Sequence, residues 1–184
     1  MKTRDVVIYT GKRFEVPQGI QRIDSHATHG WQLRYGGTKL YSDGPGNAKG
    51  ANAALAQATE ELLKRIARLP APTQLQIEPN QNKTTDLPVG ISGPIVRQRA
   101  GSTSLESNLS VSLPRFGKPP RRRSVYIGNQ NTYTEERYHL ALAKCIKLRD
   151  DAEKTYRREA TTAKRAAGLA LAAKQAKRGK APKA

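Results

Sequence analysis

The stretch Gly30-Trp31-Gln32-Leu33-Arg34-Tyr35-Gly36-Gly37-Thr38-Lys39-Leu40-Tyr41-Ser42 decides the fold class. Trp31, Leu33 and Tyr35 alternate with Gln32 and Arg34, the period of a strand with one apolar and one polar face. Gly36-Gly37 is turn chemistry at a hairpin position, and Lys39–Ser42 reads as the returning strand. A helix is predicted next, over about residues 51–69. There Ala51, Leu55, Ala58, Leu62, Ile66 and Leu69 recur at spacings of three and four, with Glu61 and Arg65 placed for an i,i+4 pair outside the stripe. Pro70-Ala71-Pro72 stops it. With a first strand after Gly19, the unit is βββα.

That unit has an echo. Val16-Pro17-Gln18-Gly19-Ile20 returns as Leu87-Pro88-Val89-Gly90-Ile91, an apolar residue, Pro, any residue, then Gly-Ile. A second alternating segment follows at Asn108–Leu113, then a basic turn at 114–121, a strand at 122–128 and a helix over about 135–156. Thr132 and Glu135 are spaced as a capping box for that helix, and Tyr138, Leu142, Cys145, Leu148, Ala152 and Tyr156 form its stripe. The fold class expected is α+β: two small modules, each a three-stranded antiparallel sheet packed on one helix, plus a basic C-terminal tail. The boundaries are 1–70 for the first module, 71–86 for an extended linker and 87–156 for the second module. Residues 157–184 are Ala/Lys-rich and lack a bulky apolar stripe, so they read as a frayed helix passing into disorder.

Composition restricts the partners. The 184 residues carry 33 Lys+Arg against 15 Asp+Glu, a formal charge of +18, with 36% hydrophobic and 5% aromatic residues. Such an excess selects polyanions, nucleic acid first. One cysteine, Cys145, allows neither an intrachain disulfide nor a cysteine-based zinc cage. No apolar run approaches the length of a membrane span, and Met1–Thr10 has no signal-type apolar core. The expectation is a soluble, cytoplasmic, nucleoid-associated protein, or one in host cytoplasm if phage-encoded, with no membrane and no small-molecule substrate.

Catalytic chemistry finds little support. His26 and His29 stand near Asp24, but zinc wants three or four ligands, so no metal and no cofactor are expected. No Ser/His/Asp or Cys/His set is suggested, and Cys145 falls in a helix stripe as a small buried thiol. Gly44-Pro45-Gly46-Asn47-Ala48-Lys49-Gly50 lacks the spacing and Lys-Ser/Thr ending of a phosphate loop and reads as a turn into the helix. The chain is read as not an enzyme.

The basic residues are the stronger signal. Arg22, Arg34 and Lys39 are expected to cluster beside Gln21 and Gln32 on the sheet face turned away from the helix. In the second module Arg97, Arg99, Arg115, Lys118, Arg121, Arg122 and Arg123 are expected around Ser110 and Ser112. Arg and Gln read guanine and adenine edges bidentately, Ser and Lys more often hold phosphates, and a β-ribbon fits the major groove.

The order Gly-Ile-x-Arg-Ile-Asp, Thr28-His29-Gly30-Trp31-Gln32-Leu33-Arg34, Tyr41-Ser42-Asp43-Gly44 and an Ala-rich helix resembles the bacterial and phage relatives of the plant ethylene-response-factor (apetala-type) DNA-binding domain. The resemblance spans residues 17–69, with a divergent second copy over 88–150 whose Trp position falls on a polar residue near Asn108. It implies a sheet entering the major groove, with Gln21, Arg22, Gln32, Arg34 and Lys39 facing double-stranded DNA and Trp31, Leu33 and Tyr41 in the core. The function expected is a double-stranded DNA-binding regulator or chromosome-organising protein. The alternatives are an RNA-binding or ribosomal-type protein, or an accessory DNA-binding component of a recombinase.

Overall fold

Burying one face of an alternating strand requires a cover, and a helix supplies it. In the computed structural model, which describes residues 1–44, 50–98, 101 and 103–179, the chain is a mixed α+β protein with three antiparallel sheets and two helices. It divides into two units, Met1–Pro72 together with the chain from Thr161, and Thr73–Ala160.

The first unit opens with a hairpin of β1 (Thr3–Val7) and β2 (Arg13–Pro17), registered from Thr3↔Pro17 to Val7↔Arg13. A meander of β3 (Ile20–Asp24), β4 (His29–Arg34) and β5 (Thr38–Ser42) follows, then α1 (Gly50–Arg68). Trp31, Leu33 and Tyr35 are buried with Ala54, Ala58, Leu62 and Ile66 of α1. Trp31 is fully enclosed; its Nε1–H donates to the Ala51 carbonyl at 2.8 Å, so its one polar atom is satisfied, and Phe14 meets the ring edge-on at 5.4 Å. A Cβ on Gly50 would lie 1.5 Å from the Asp43 carbonyl oxygen, so the helix can start this close to the sheet only without a side chain there. The expected Glu61–Arg65 pair forms at 2.8 Å, and Arg65 also donates to the Tyr35 and Gly37 carbonyls, clipping the β4–β5 turn to the helix. The β1–β2 hairpin is an addition to the sequence reading: Phe14 and Val16 enter the core around a turn with Gly11 at φ +80°.

The second unit contains β6 (Ile91–Gln98), β7 (Leu105–Arg115), β8 (Lys118–Asn129) and the start of α2 (Glu135–Gly179). Leu109, Val111, Val125 and Ile127 pack with Ala141 and Cys145 of α2. The basic turn expected over 114–121 is much tighter: Arg115 pairs with Lys118 around Phe116-Gly117, where Gly117 has φ +68°. Pro119 and Pro120, expected in that turn, lie in β8, an edge strand, where a missing N–H costs little. The helix cap also differs. Thr134 accepts from the Arg137 N–H at 3.2 Å, while Thr132 bonds to Asn129 instead.

The two units share a local register. The Gly19 carbonyl accepts from the Arg34 N–H at 2.7 Å and the Gly90 carbonyl from the Ser112 N–H at 2.7 Å, while Ile20 opposes Leu33 and Ile91 opposes Val111. Counting back from these pairs, Leu109 holds the place of Trp31. The polar residue near Asn108 is therefore not the counterpart of the tryptophan, and the position stays apolar.

The helical part of the expected tail is present, since α2 continues to Gly179, but its segment from Thr161 belongs to the first unit, and 180–184 lie outside the described residues. The Thr161 hydroxyl accepts from the Ala71 N–H, Lys164 lies over the Tyr35 ring at 5.7 Å, Leu171 is buried, and Lys174 pairs with Glu15 at 2.7 Å. A search for bulky stripes misses this surface because it works by close approach: a Cβ on Gly168 would stand 3.0 Å from Ile66 Cγ2. Overpacking is costly where neighbours cannot yield. Gly168→Phe is expected to lower stability by about 1–3 kcal/mol in denaturant unfolding. Leu169→Phe, at a position 74% exposed, should leave it nearly unchanged. Equal midpoints for the two variants would reject the packing.

Candidate nucleic-acid interface

Register decides which basic side chains share a face. Gln21 opposes Gln32, which opposes Leu40, and Arg34 opposes Thr38, so Gln21, Gln32 and Arg34 lie together on the face away from α1. The Arg34 guanidinium donates to the Gln32 side-chain oxygen, which holds the two side chains together. Beside them the unpredicted hairpin contributes more charge. A cleft of about 370 Å³ joins Lys2, Arg4 and Gln18 to Gln21 and Arg34, and no carboxylate lines it. Arg4 is tethered by a 3.3 Å hydrogen bond to the Ile20 carbonyl. Lys2, Arg4 and Gln18 are the residues that sequence reasoning missed; the alternation of Phe14 and Val16 before Pro17 was the available sign of a strand here.

Arg22 and Lys39 are placed otherwise. Arg22 opposes Trp31 and Lys39 opposes Leu33, which puts both on the helix side of the sheet, not beside Gln21 and Gln32. Adjacent residues on one strand cannot share a face, so Gln21 and Arg22 necessarily part. Arg22 forks onto the Asp43 carboxylate at 2.9 and 2.6 Å and bonds Asp24 at 2.9 Å, with its guanidinium 5.0 Å from the Trp31 ring. Its side chain is 6% exposed and that of Asp43 is 0% exposed. Burial opposes the charge on Arg22, but hydrogen bonds and attraction from Asp43 and Asp24 outweigh it and raise its pKa. Burial likewise opposes ionisation of Asp24, yet the hydrogen bonds from Arg22 and His29 hold its carboxyl below the usual range. Lys39 extends over the Tyr41 ring at 5.1 Å.

In the second unit the same rule splits the arginine run. Ser112 opposes Arg122, Ser110 opposes Ser124 and Ser92 opposes Ser110, so Arg122 and the serines share the outer face, with Arg97 further along β6. Arg121 and Arg123 oppose Leu113 and Val111 and turn to the helix side. The outer face carries a groove of about 770 Å³, bordered by Arg97, Ser110, Ser112 and Arg122 and by Asn80, Asn82 and Lys83 of the segment before β6. The amides and lysine of that segment are a further polar contribution that the reading of 71–86 as a plain linker leaves out. Arg115 donates to the Pro119 carbonyl at 3.0 Å and stands with Lys118 at the β7–β8 turn. Arg99 lies outside the described residues, as does 45–49 of the glycine-rich loop before α1.

His29 bonds Asp24 through Nδ1 at 2.9 Å and stacks near Tyr9, and no group of three potential metal ligands occurs among the described residues. Burial pushes the Cys145 thiol up, which keeps it in the unreactive thiol form. Among the described residues no helix is long and apolar enough to cross a membrane. No protein-family model, curated protein or solved structure matches this chain.

Proposed function

We propose that this chain is a double-stranded DNA-binding protein, a regulator or chromosome-organising protein, that lays the outer faces of two small βββα modules against the duplex. The observation that carries the reading is the cleft of the first unit, lined by no carboxylate, where Gln21 and Arg34 stand with Lys2 and Arg4 and Gln32 lies across the ladder from Gln21. It combines side chains that can pair with base edges and cations that can hold the flanking phosphates. The resemblance to the ethylene-response-factor type of domain supports the same use of the sheet. The outer face of the second unit, rich in serine with Arg97 and Arg122, is suited to phosphates more than to base edges.

Arg34 is the residue to test. Its side chain is exposed and leaves the sheet on the face opposite Trp31 and Leu33. Arg34→Ala is expected to cost about 1–3 kcal/mol on a preferred duplex selected from a random pool, with much less loss on a scrambled one and an unchanged melting temperature. Equal losses on both duplexes would reject base reading by β4. Duplex RNA and single strands, measured alongside, separate the RNA-binding alternative, because the A-form major groove is too narrow for the sheet.

A further inference from the structure

On the helix side of the second sheet, the edge strand β8 and the first turns of α2 enclose a cleft of about 330 Å³. Three cations line it: Arg123 from β8, and Arg137 and Lys144, two helical turns apart on α2. No carboxylate lines it. The Arg137 guanidinium is aimed by a 3.0 Å hydrogen bond to the Thr132 carbonyl. Among the described residues, no ion pair engages any of the three.

The first unit shows what an ordinary edge of this kind looks like. Lys39 occupies there the register position that Arg123 occupies here, opposite Leu33 as Arg123 is opposite Val111. Yet Lys39 acts on the carboxylate of Glu61, and the neighbouring helix carries the Lys64–Glu60 and Arg65–Glu61 pairs, both at 2.8 Å. The same architecture is neutralised in one unit and left cationic in the other. Like charges held together repel, and a bound anion removes that cost.

We propose that the cleft of Arg123, Arg137 and Lys144 is a separate backbone-phosphate site for nucleic acid, on the opposite side of the sheet from Ser110, Ser112 and Arg122. It rests on the reading that the chain binds nucleic acid, and it adds grip without sequence preference, since phosphates carry no base identity. Arg122 and Arg123, neighbours in sequence, then serve two different surfaces.

The test is the double variant Arg123→Gln/Lys144→Gln, which spares Arg137 and its hydrogen bond to Thr132. Binding to 20-base-pair duplexes of preferred and scrambled sequence is followed across salt concentrations, with Arg34→Ala in parallel. The double variant should weaken both duplexes by the same factor and make the log–log salt slope shallower by about 2, at about 0.9 per phosphate contact. The charge-keeping Arg123→Lys/Lys144→Arg should bind like wild type. An unchanged slope, or a loss confined to the preferred duplex, overturns the site while leaving the sheet-face reading intact. A wild-type chain that binds neither duplex overturns both. If melting shows the double variant unfolded, Lys144→Glu alone, at an exposed helix position, must still weaken both duplexes, and unaltered binding overturns the site.

Discussion

Arg22→Ala is expected to cost about 3–5 kcal/mol of folding stability, the range for removing one partner of a buried ion pair. The cost comes from what stays behind: the Asp43 carboxylate, 0% exposed, would lose both arms of its fork and keep its charge away from water. Arg22→Lys should recover only part of this, because an ammonium cannot reproduce the fork while also reaching Asp24. Chemical denaturation of the three proteins checks it; an alanine variant as stable as wild type, yet weak on DNA, would return Arg22 to the interface. The same network predicts a pH dependence. Asp24 is held below its ordinary pKa, so its contribution is fully present above the unfolded value of about 3.9 and is lost as pH falls through the lower folded value. Wild type should therefore lose stability in acid below about pH 4, and Arg22→Ala should show a flatter acid limb.

Affinity for duplex DNA should fall by about 10³–10⁵ between 50 and 200 mM salt if about six to ten phosphates are neutralised. That count is within reach of the available cations. Lys2, Arg4 and Arg34 surround the first outer face, and Lys83, Arg97 and Arg122 border the second. Titrating a fluorescent duplex at several salt concentrations gives the slope directly. Near-zero slope would remove the polyanion reading itself, whereas a steep slope with no difference between preferred and scrambled duplexes would favour a chromosome-organising role over a regulator.

The sequence by itself determined the elements whose cause is local. Period-two alternation placed β4 from Trp31, Leu33 and Tyr35, and spacing of three and four placed α1, because a strand or helix facing one core imprints its own periodicity on neighbouring residues. The Pro-x-Gly-Ile echo likewise located the starts of β3 and β6. The net positive charge was legible as composition, and Arg34 as an outward residue followed from its place between Leu33 and Tyr35.

Only the tertiary structure decided which charges act together. Arg22 and Gln21 are chain neighbours, but their surroundings come from Asp43, twenty-one residues beyond Arg22, and from Gln32 across the ladder. Lys2 and Arg4 come beside Gln21 and Arg34 through a hairpin that packs by way of Phe14 and Val16, and Arg123 joins Arg137 and Lys144 across a sheet–helix edge. The segment from Thr161 is the strongest case: small residues let helices approach without leaving an apolar stripe, and its Lys174 meets Glu15 across 159 residues of chain. Periodicity records which way a residue faces within its own element. The partner that waits on that face is fixed by contacts between distant segments, and a local pattern does not contain them.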